Sequence, residues 1–392
     1  MAPDFVVVGG GIGGAVLAGL LGRGGKRVVV LEKSLAPPQW VRPEVLWPGT
    51  MEVLFSLRPR ERWEQEAVLP MRGVEFHDGQ RTVPFITAEL LRDAHVQPWF
   101  TNPNQTREQL LRLGSFELRR GVEVIAILKE KSRIVGVRTR DTATQQEGEV
   151  VARYTVGDDG AQSLVRNACG IDMKTHVFPV DFICFGCDWP AAVPSGTARF
   201  WLNSRRRASG IVGLGIVPLP NGKGAGLVPV LSQSFDAIPS VEAPWNRFCA
   251  ADPTIREVIR DRRFPHDFVR IRRPWGHAPR YGGEGAILMG DAAHPVSPAG
   301  GQGANMSVAD ATVLAELASG NHRNLLAEYE RRRRPANARS MSPTRTVAQI
   351  LSLPQWLSPI SVFFSIVRSV ARYPSLLRHF LRSASTMFQE RV

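Results

Sequence analysis

The N-terminal part of the chain alternates short apolar runs with glycine-rich and helical stretches. Residues 4–8 are apolar and largely β-branched, residues 9–14 are rich in glycine, and residues 15–21 are rich in alanine and leucine. A second apolar run over 27–31 ends in Glu32. Strand, glycine turn, helix, strand and acid, in this order, are typical of a βαβ unit that binds a dinucleotide.

Each part of this unit has a physical reason. Gly9 allows the tight turn, Gly11 lets the backbone approach a pyrophosphate, and Gly14 lets the helix pack closely on the sheet. The helix N-terminus offers unpaired N–H groups to phosphates, and Glu32 can accept hydrogen bonds from ribose hydroxyls. A glycine turn without a ligand is the alternative, but the flanking strands and the acid favour a nucleotide, either NAD or FAD. The candidate contacts are Gly9, Gly11, Ile12, Gly13, Gly14, Glu32 and Lys33.

The pattern then predicts further elements up to a second corner of the sheet. We expect helices at 50–57 and 106–113, a two-stranded hairpin at 74–85, strands at 122–128, 133–140 and 150–156, and a helix from Leu164. Asp159 lies between the last strand and this helix, at the carboxyl ends of the sheet, where open α/β sheets bind ligands. Arg42 lies in a proline-rich loop, where it either contacts a phosphate or flavin edge or is simply solvated.

Between 178 and 264 the chain changes to short apolar runs with many glycines and prolines. Strands are expected at 182–189, 210–217 and 224–231, and a helix at 245–260. Together with the hairpin at 74–85, they predict an antiparallel sheet inserted into the nucleotide-binding fold. Its aromatic residues either line an apolar pocket or fill the core; they are Trp189, Phe200, Trp201 and Phe235.

A second glycine-rich loop follows when the nucleotide-binding pattern resumes. The run 285–289 reads as a buried strand, residues 290–294 are Gly-Asp-Ala-Ala-His, and the loop up to Gly303 leads into a helix over 304–318. A helix N-terminus of this kind stabilises an anion, which suits a cofactor that becomes negative on reduction. Asp291, at the strand end, can accept hydrogen bonds from a polyol.

Composition narrows the class of protein. The 392 residues are 43% apolar and 22% charged, which is ordinary for a globular protein, and their net charge of +13 indicates an anionic partner. The few cysteines suit a reducing, cytoplasmic compartment, and no signal peptide is expected because the first strand begins close to Met1. Cys184 and Cys187 form a C-x-x-C pair inside a predicted strand, so we expect packing there and no metal site.

Three stretches together resemble the FAD-dependent monooxygenases of the para-hydroxybenzoate hydroxylase type. They are residues 9–32, residues 157–160 with Ser163 and Arg166, and residues 290–294 with Pro298, 300–303, Asn305 and Asp310. Their order and spacing span residues 1 to about 330. Arg42 and Arg107 fall where this family has flavin-contacting arginines. Asp158 is a departure, because the family more often has alanine at this position.

The resemblance implies a FAD cofactor that is reduced by NADH or NADPH. It also implies that a flavin C4a-hydroperoxide transfers one oxygen atom from O₂ to an electron-rich ring or alkene. Glu32 would bind the adenosine ribose, Asp291 the ribityl chain and Pro298 the isoalloxazine, while the loop up to Asn305 would bind the pyrimidine edge. The cofactor contacts implied beyond the first unit are Arg42, Arg107, Asp159, Gly290, Asp291, Pro298, Gly300, Gly301, Gln302, Gly303, Ala304 and Asn305.

We therefore expect an α/β fold with a Rossmann-like FAD-binding domain, an inserted antiparallel-sheet substrate domain and a helical C-terminal segment. The predicted boundaries are 1–73, 103–177 and 268–345 for the first, 74–102 and 178–267 for the second, and 346–392 for the third. No residue stands out as a catalytic acid or base. His77, His95 and His277 are expected to be surface or packing residues, and His294 to be structural.

The C-terminal part is both basic and apolar. Residues 320–392 contain twelve arginines and three glutamates, whereas 346–367 carries no charge. Pro354 and Pro359 argue against a membrane-spanning helix. Either 346–392 lies peripherally on an anionic membrane surface, or it packs over the substrate domain and covers the pocket. Both interpretations indicate a lipophilic small-molecule substrate.

Other classes of protein share parts of this pattern. Flavin-dependent reductases of isoprenoids or other unsaturated lipids have the same fold and need no O₂. Flavin halogenases also share it, but the chain lacks a Trp-x-Trp-x-Ile-Pro segment. Nucleic acid is not expected as a partner, because residues 1–320 contain no RNA- or DNA-binding motif and the arginines lie beside an apolar run. The sequence carries no sign of an oligomeric state.

Overall fold

The computed structural model describes residues 2–39, 41–77, 82–178, 180–202, 211–232, 254–259, 269–272, 274–296, 301–320, 322–351, 365 and 367–386. The described helices are α1 (Ile12–Arg23), α2 (Pro48–Leu57), α3 (Arg60–Glu66), α4 (Ala88–Ala94), α5 (Pro103–Leu111), α6 (Leu164–Ala168), α7 (Thr254–Ile259), α8 (Gly303–Ser319), α9 (Leu325–Leu351) and α10 (Pro374–Thr386). A short 3₁₀ turn covers Gly290–Ala292.

The described strands are β1 (Phe5–Val8), β2 (Val28–Glu32), β3 (Glu44–Leu46), β4 (Val68–Pro70), β5 (Gly73–His77), β6 (Thr82–Ile86), β7 (Trp99–Thr101), β8 (Glu117–Arg120), β9 (Val122–Glu130), β10 (Arg133–Asp141), β11 (Glu147–Val151), β12 (Tyr154–Gly157), β13 (Thr175–Val177), β14 (Val180–Asp188), β15 (Thr197–Leu202), β16 (Gly213–Leu219), β17 (Lys223–Leu231), β18 (Val269–Ile271), β19 (Pro274–Gly276), β20 (Gly282–Gly283) and β21 (Ala286–Leu288).

A six-stranded sheet in the order β20-β21-β12-β1-β2-β8 forms the nucleotide-binding layer, and only the β20-β21 pairing is antiparallel. Every residue of β1 and β2 is buried, because α1 covers one side and the β9-β10-β11 sheet contacts the other. The expected α/β, Rossmann-like fold is confirmed. The carboxyl ends of β1, β12 and β21 therefore meet at one edge of the layer.

The single strand predicted at 150–156 is wrong. The chain forms two strands there, β11 and β12, which belong to different sheets. The N–H of Ala152 donates to Val135 and keeps β11 beside β10, whereas Tyr154 starts a new pairing with Phe5 on β1. Residues 150–156 are mostly β-branched or aromatic, so their composition did not reveal the break.

The inserted sheet has seven strands in the order β18-β14-β17-β16-β15-β5-β6. The hairpin expected near 74–85 joins it, as predicted, but the sheet is not wholly antiparallel because β5 and β15 run parallel. Trp201 is buried in its core, which favours packing over a pocket role. Phe235 and most of the helix predicted at 245–260 lie outside the described residues. The domain boundaries stay predictions.

The described end of the chain packs on the inserted domain. Leu377, Leu381 and Ala384 on α10 are buried in one hydrophobic cluster with Leu90 and Leu91 on α4. Packing over the substrate domain is thus observed for this part of the predicted C-terminal segment. Within the described residues, no helix is long and apolar enough to cross a membrane.

The buried carboxylate of Asp310 on α8 connects three parts of the fold. It accepts hydrogen bonds from the backbone N–H of Gly290 at 3.0 Å, Arg333 Nε at 2.7 Å and Asn337 Nδ2 at 2.9 Å, and pairs with His294 Nε2 at 2.5 Å. Burial alone would raise the pKa of this carboxyl, but His294 and Arg333 outweigh it and hold the pKa well below its usual range. The 290–294 turn, α8 and α9 are thereby held together.

Arg333 belongs to a run of four arginines, yet its environment differs from that of its neighbours. Arg331 pairs with Glu328 at the surface, and Arg332 pairs with Glu316 at 3.0 Å. The Arg333 side chain is only 2% exposed. Part of the positive charge of the tail therefore stabilises the fold.

We expect Arg333→Met to lower the free energy of unfolding by about 3–5 kcal/mol, because it leaves a buried carboxylate without its cation. Arg331→Met, the matched control in the same run, should change it by less than about 1 kcal/mol. Chemical denaturation near neutral pH measures both. The folded pKa of Asp310 is depressed, so the Arg333 contribution is present above about pH 4 and is lost as the pH falls through the folded pKa. Equal effects of the two variants would contradict a structural role that is specific to Arg333.

Candidate active site

A cavity of about 300 Å³ lies between the nucleotide-binding layer and the inserted sheet. One end is formed by the first glycine-rich turn and the carboxyl ends of β12 and β21, and the other by the inserted sheet. Its lining residues are Gly11, Ile12, Gly13, Arg42, Pro43, Glu44, Asp158, Gly160, Phe182, Cys184, Leu227, Ile271, Asp291, Val296, Gly301, Gln302, Gly303, Ala304 and Ser307. Nine of the predicted cofactor contacts are among them.

The first glycine-rich turn is packed too tightly for side chains. Gly9 has φ +99°, and a Cβ there would collide with the carbonyl of Asp158. A Cβ at Gly14 would come within 2.7 Å of the Gly9 carbonyl, which agrees with the close strand-to-helix packing expected of this position. A Cβ at Gly13 would collide with Ser307 on α8, a helix contact that the sequence did not indicate.

Glu32 lies buried at the end of β2, beside this turn. Its Oε2 accepts from the N–H of Gly10 at 3.1 Å, and its Oε1 accepts from the N–H of Ser34 at 2.8 Å. Arg107 on α5 places Nη2 at 3.4 Å from Oε2. The acid and arginine predicted from separate segments thus meet, whereas Lys33 points to solvent.

The Asp159 side chain stabilises the start of α6. Its Oδ2 accepts from the N–H groups of Leu164 at 2.7 Å and Val165 at 3.2 Å, and so caps α6. Burial raises the pKa of its carboxyl. Arg166, which belongs to the second motif but was not a predicted contact, donates to Ala292 at 2.9 Å and ties this corner to the 3₁₀ turn. The neighbours of Asp159, not its own side chain, line the cavity.

The second glycine-rich loop is held by Asn305. Its Nδ2 donates to the carbonyls of Gly301 and Val45, both at 2.8 Å. Its Oδ1 accepts from the N–H of Trp47 at 3.0 Å and from Thr50 Oγ1 at 2.7 Å. All the hydrogen-bonding capacity of the amide is thus used within the protein, so Asn305 positions the loop.

Two predicted contacts, Pro298 and Gly300, lie outside the described residues. Gly290 adopts φ +56° at the start of the 3₁₀ turn, which favours glycine, and directs Asp291 to the cavity. Arg42 also lines the cavity and pairs with Glu44 at 2.7 Å.

The family model described as "FAD binding domain" matches residues 3–344. The chain belongs to this family. It is 28% identical over 370 residues to rifampicin monooxygenase of Streptomyces venezuelae, covering 89% of this chain and 72% of that protein. It is 27% identical over 413 residues to ubiquinone hydroxylase UbiL of Rhodospirillum rubrum, covering 97% and 89%.

A solved structure, p-nitrophenol 4-monooxygenase PnpA from Pseudomonas putida DLL-E4, is similar with a TM-score of 0.75. It covers 100% of this chain and 99% of its own at 19% identity, and therefore supports the fold alone. The resemblance drawn from the three motifs is confirmed, and the enzyme is a FAD-dependent monooxygenase.

The residues of this monooxygenase fit its cofactor. Within the described parts of the chain, the buried Nε and Nη2 of Arg107 and Oε1 of Gln302 make no hydrogen bond, so polar groups of FAD could satisfy them. The first glycine-rich turn could accommodate the pyrophosphate, and Arg42, Asp291 and the second loop could hold the remainder.

No titratable histidine lines the described cavity wall. His277 lies away from it and contacts the Tyr281 hydroxyl at 2.8 Å, and burial lowers its pKa to about 4. His294 is paired with Asp310, in agreement with a structural role, and His95 ends α4 in the left-handed region. The cysteines 184 and 187 lie on β14 as expected, and no cluster that could hold a metal occurs among the described residues.

We expect Asn305→Ala to weaken FAD binding at least about tenfold, because it removes the four hydrogen bonds of the side chain, which join Gly301 in the loop to Val45, Trp47 and Thr50. Thr50→Val, which removes only one of them, should weaken it clearly less. Quenching of flavin fluorescence on titration of the FAD-stripped protein measures both, with thermal unfolding as the check on folding. An unchanged affinity in Asn305→Ala would show that this side chain does not position the loop.

Proposed function

We propose that the enzyme inserts one oxygen atom from O₂ into a hydrophobic aromatic or polyene metabolite, by hydroxylation or epoxidation, with NADH or NADPH as electron donor. The main support is the division of the cavity into two ends. The backbone of the two glycine-rich loops and Asp291 form one end, and Phe182, Leu227 and Ile271 form the other, near Arg42. Such an apolar wall suits a lipophilic substrate.

The protein's share of this reaction is binding, orientation and exclusion of water. FAD, when bound, supplies the activated oxygen. Cys184 on the apolar wall stays a neutral thiol, because burial raises its pKa to about 12. Cys184 is therefore not a base, and the carboxylate of Glu44, which also lines the cavity, is paired with Arg42 at 2.7 Å. The relatives named for rifampicin and ubiquinone support an organic small-molecule substrate.

The reaction is tested with heavy-isotope O₂. Purified protein, FAD and NADPH or NADH are incubated with a lipophilic extract of the source organism, and product masses are compared with those of a reaction lacking protein. We expect a product with one labelled oxygen. A product that gains two hydrogens and no label would contradict the proposal and favour the alternative function, a flavin-dependent reductase of an isoprenoid or other unsaturated lipid.

We also propose that α10 attaches the enzyme peripherally to an anionic membrane surface. Leu377 and Leu381 face the protein, while Tyr373, just before the helix, and Leu376 and Phe380 on it form an adjoining stripe whose members are 58%, 56% and 53% exposed. Exposed large apolar side chains in a row are typical of interfacial helices.

The positive charge near α10 also supports binding to an anionic membrane surface. Arg368 and Arg372 are exposed just before the stripe, and the tail beyond residue 320 is strongly basic. Each basic residue near an anionic bilayer contributes about 1 kcal/mol to binding, and this contribution is reduced by salt.

The double variant Leu376→Ser/Phe380→Ser should lose at least about tenfold in affinity for vesicles of phosphatidylcholine and phosphatidylglycerol, because two apolar side chains no longer enter the bilayer. Val151→Ser/Val177→Ser is the matched control, since these valines are 53% and 59% exposed elsewhere. Co-sedimentation of the full-length protein measures binding, and salt should release the unmodified protein. Equal sedimentation of the two double variants would contradict the role of α10.

A further inference from the structure

Asp158 places a carboxyl group at the N-terminus of α1, from inside the cavity. The first N–H groups of this helix have no intrahelical partner, and Gly11 provides no side-chain cap. Asp158 Oδ2 instead accepts from the N–H of Gly14 at 2.8 Å. An acid from the end of β12 thus stabilises the positive end of the α1 dipole.

The surrounding glycines make room for this carboxyl. A Cβ on Gly11 would come within 2.5 Å of Asp158 Oδ2, and a Cβ on Gly290 would come within 2.7 Å of Oδ1. Asp158 lines the cavity together with Gly11, Ile12 and Gly13. The carboxyl therefore shares the glycine cradle in which the pyrophosphate of FAD would bind.

We propose that Asp158 competes with the pyrophosphate of FAD for the N-terminus of α1, so that the enzyme binds FAD weakly when Asp158 is ionised and tightly when it is protonated. An ionised carboxylate uses the helix dipole and repels a second anion at close range. A protonated carboxyl is neutral and can donate a hydrogen bond to a phosphate oxygen. This goes beyond the proposed reaction, because it concerns retention of the cofactor.

Burial and the neighbouring carboxylates favour the protonated form of Asp158. Burial is the main cause that raises the pKa of Asp158 well above its ordinary value, the Gly14 N–H opposes it, and nearby carboxylates add to it. The titratable and charged groups around it come from β12, the 3₁₀ turn, α8, α9 and the opposite cavity wall; they are Asp159, Asp291, Asp310, Tyr329 and Arg42. Because the pyrophosphate stays ionised throughout, the pH dependence of binding reports the protein.

The dissociation constant for FAD is measured by fluorescence quenching across the pH range in which the protein stays folded, with the full-length protein freed of FAD. We expect at least about tenfold weaker binding at the upper end of this range than at the lower end. Asp158→Asn keeps an acceptor for Gly14 but carries no charge, so it should bind FAD tightly with little pH dependence. Asp158→Ala should also bind more tightly than the unmodified protein at high pH.

Calorimetry in two buffers of different ionisation enthalpy gives an independent readout. FAD binding near the Asp158 pKa should take up protons in the unmodified protein and not in Asp158→Asn. A pH dependence that is absent in the unmodified protein, or that persists in Asp158→Asn, would overturn the proposal. Thermal unfolding of the FAD-free variants confirms folding. None of these measurements depends on oxygen transfer, so they stand apart from the test of the reaction.

Discussion

A single buried carboxylate, that of Asp310, connects the segments that must meet for the active site to exist. A desolvated carboxylate is stable only when its donors are all in place. Its donors come from the 290–294 turn and from Arg333 and Asn337 on α9, while Asp310 itself lies on α8. Misplacing any of these three elements leaves a buried charge unpaired. The interaction thus selects one arrangement of the turn that presents Asp291 to the cavity.

The two glycine-rich loops form one site because their helices touch. Gly13 on α1 approaches Ser307 on α8 so closely that no side chain fits between them. The N-termini of both helices therefore face the same cavity, and their dipoles partly offset the carboxylates of Asp158 and Asp291. This arrangement favours an anion and explains how an acidic edge of the sheet can belong to a site for a phosphorylated cofactor.

Much of the fold follows from local sequence. The β1-α1-β2 unit, the β9-β10 hairpin and α8 follow from the sequence because the spacing of apolar residues and the positions of glycines determine the local backbone conformation. The boundary between β11 and β12 does not, since it depends on which sheet each strand joins. The burial of Arg333 was also not predicted, because a run of four arginines is typical of a protein surface. Its spacing of four from the buried Tyr329 and Asn337 on one helix face was the available signal.

The two interpretations of the tail are compatible, because α10 has two faces. Leu377 and Leu381 belong to the same hydrophobic cluster as Val296, which lines the cavity, whereas Leu376 and Phe380 lie on the exposed side of the helix. One helix therefore covers the substrate domain and presents an apolar surface outward. Close-packed clusters transmit small displacements, since their side chains have little free volume. Contact of α10 with a bilayer would thus act on the packing behind Val296 in the cavity wall.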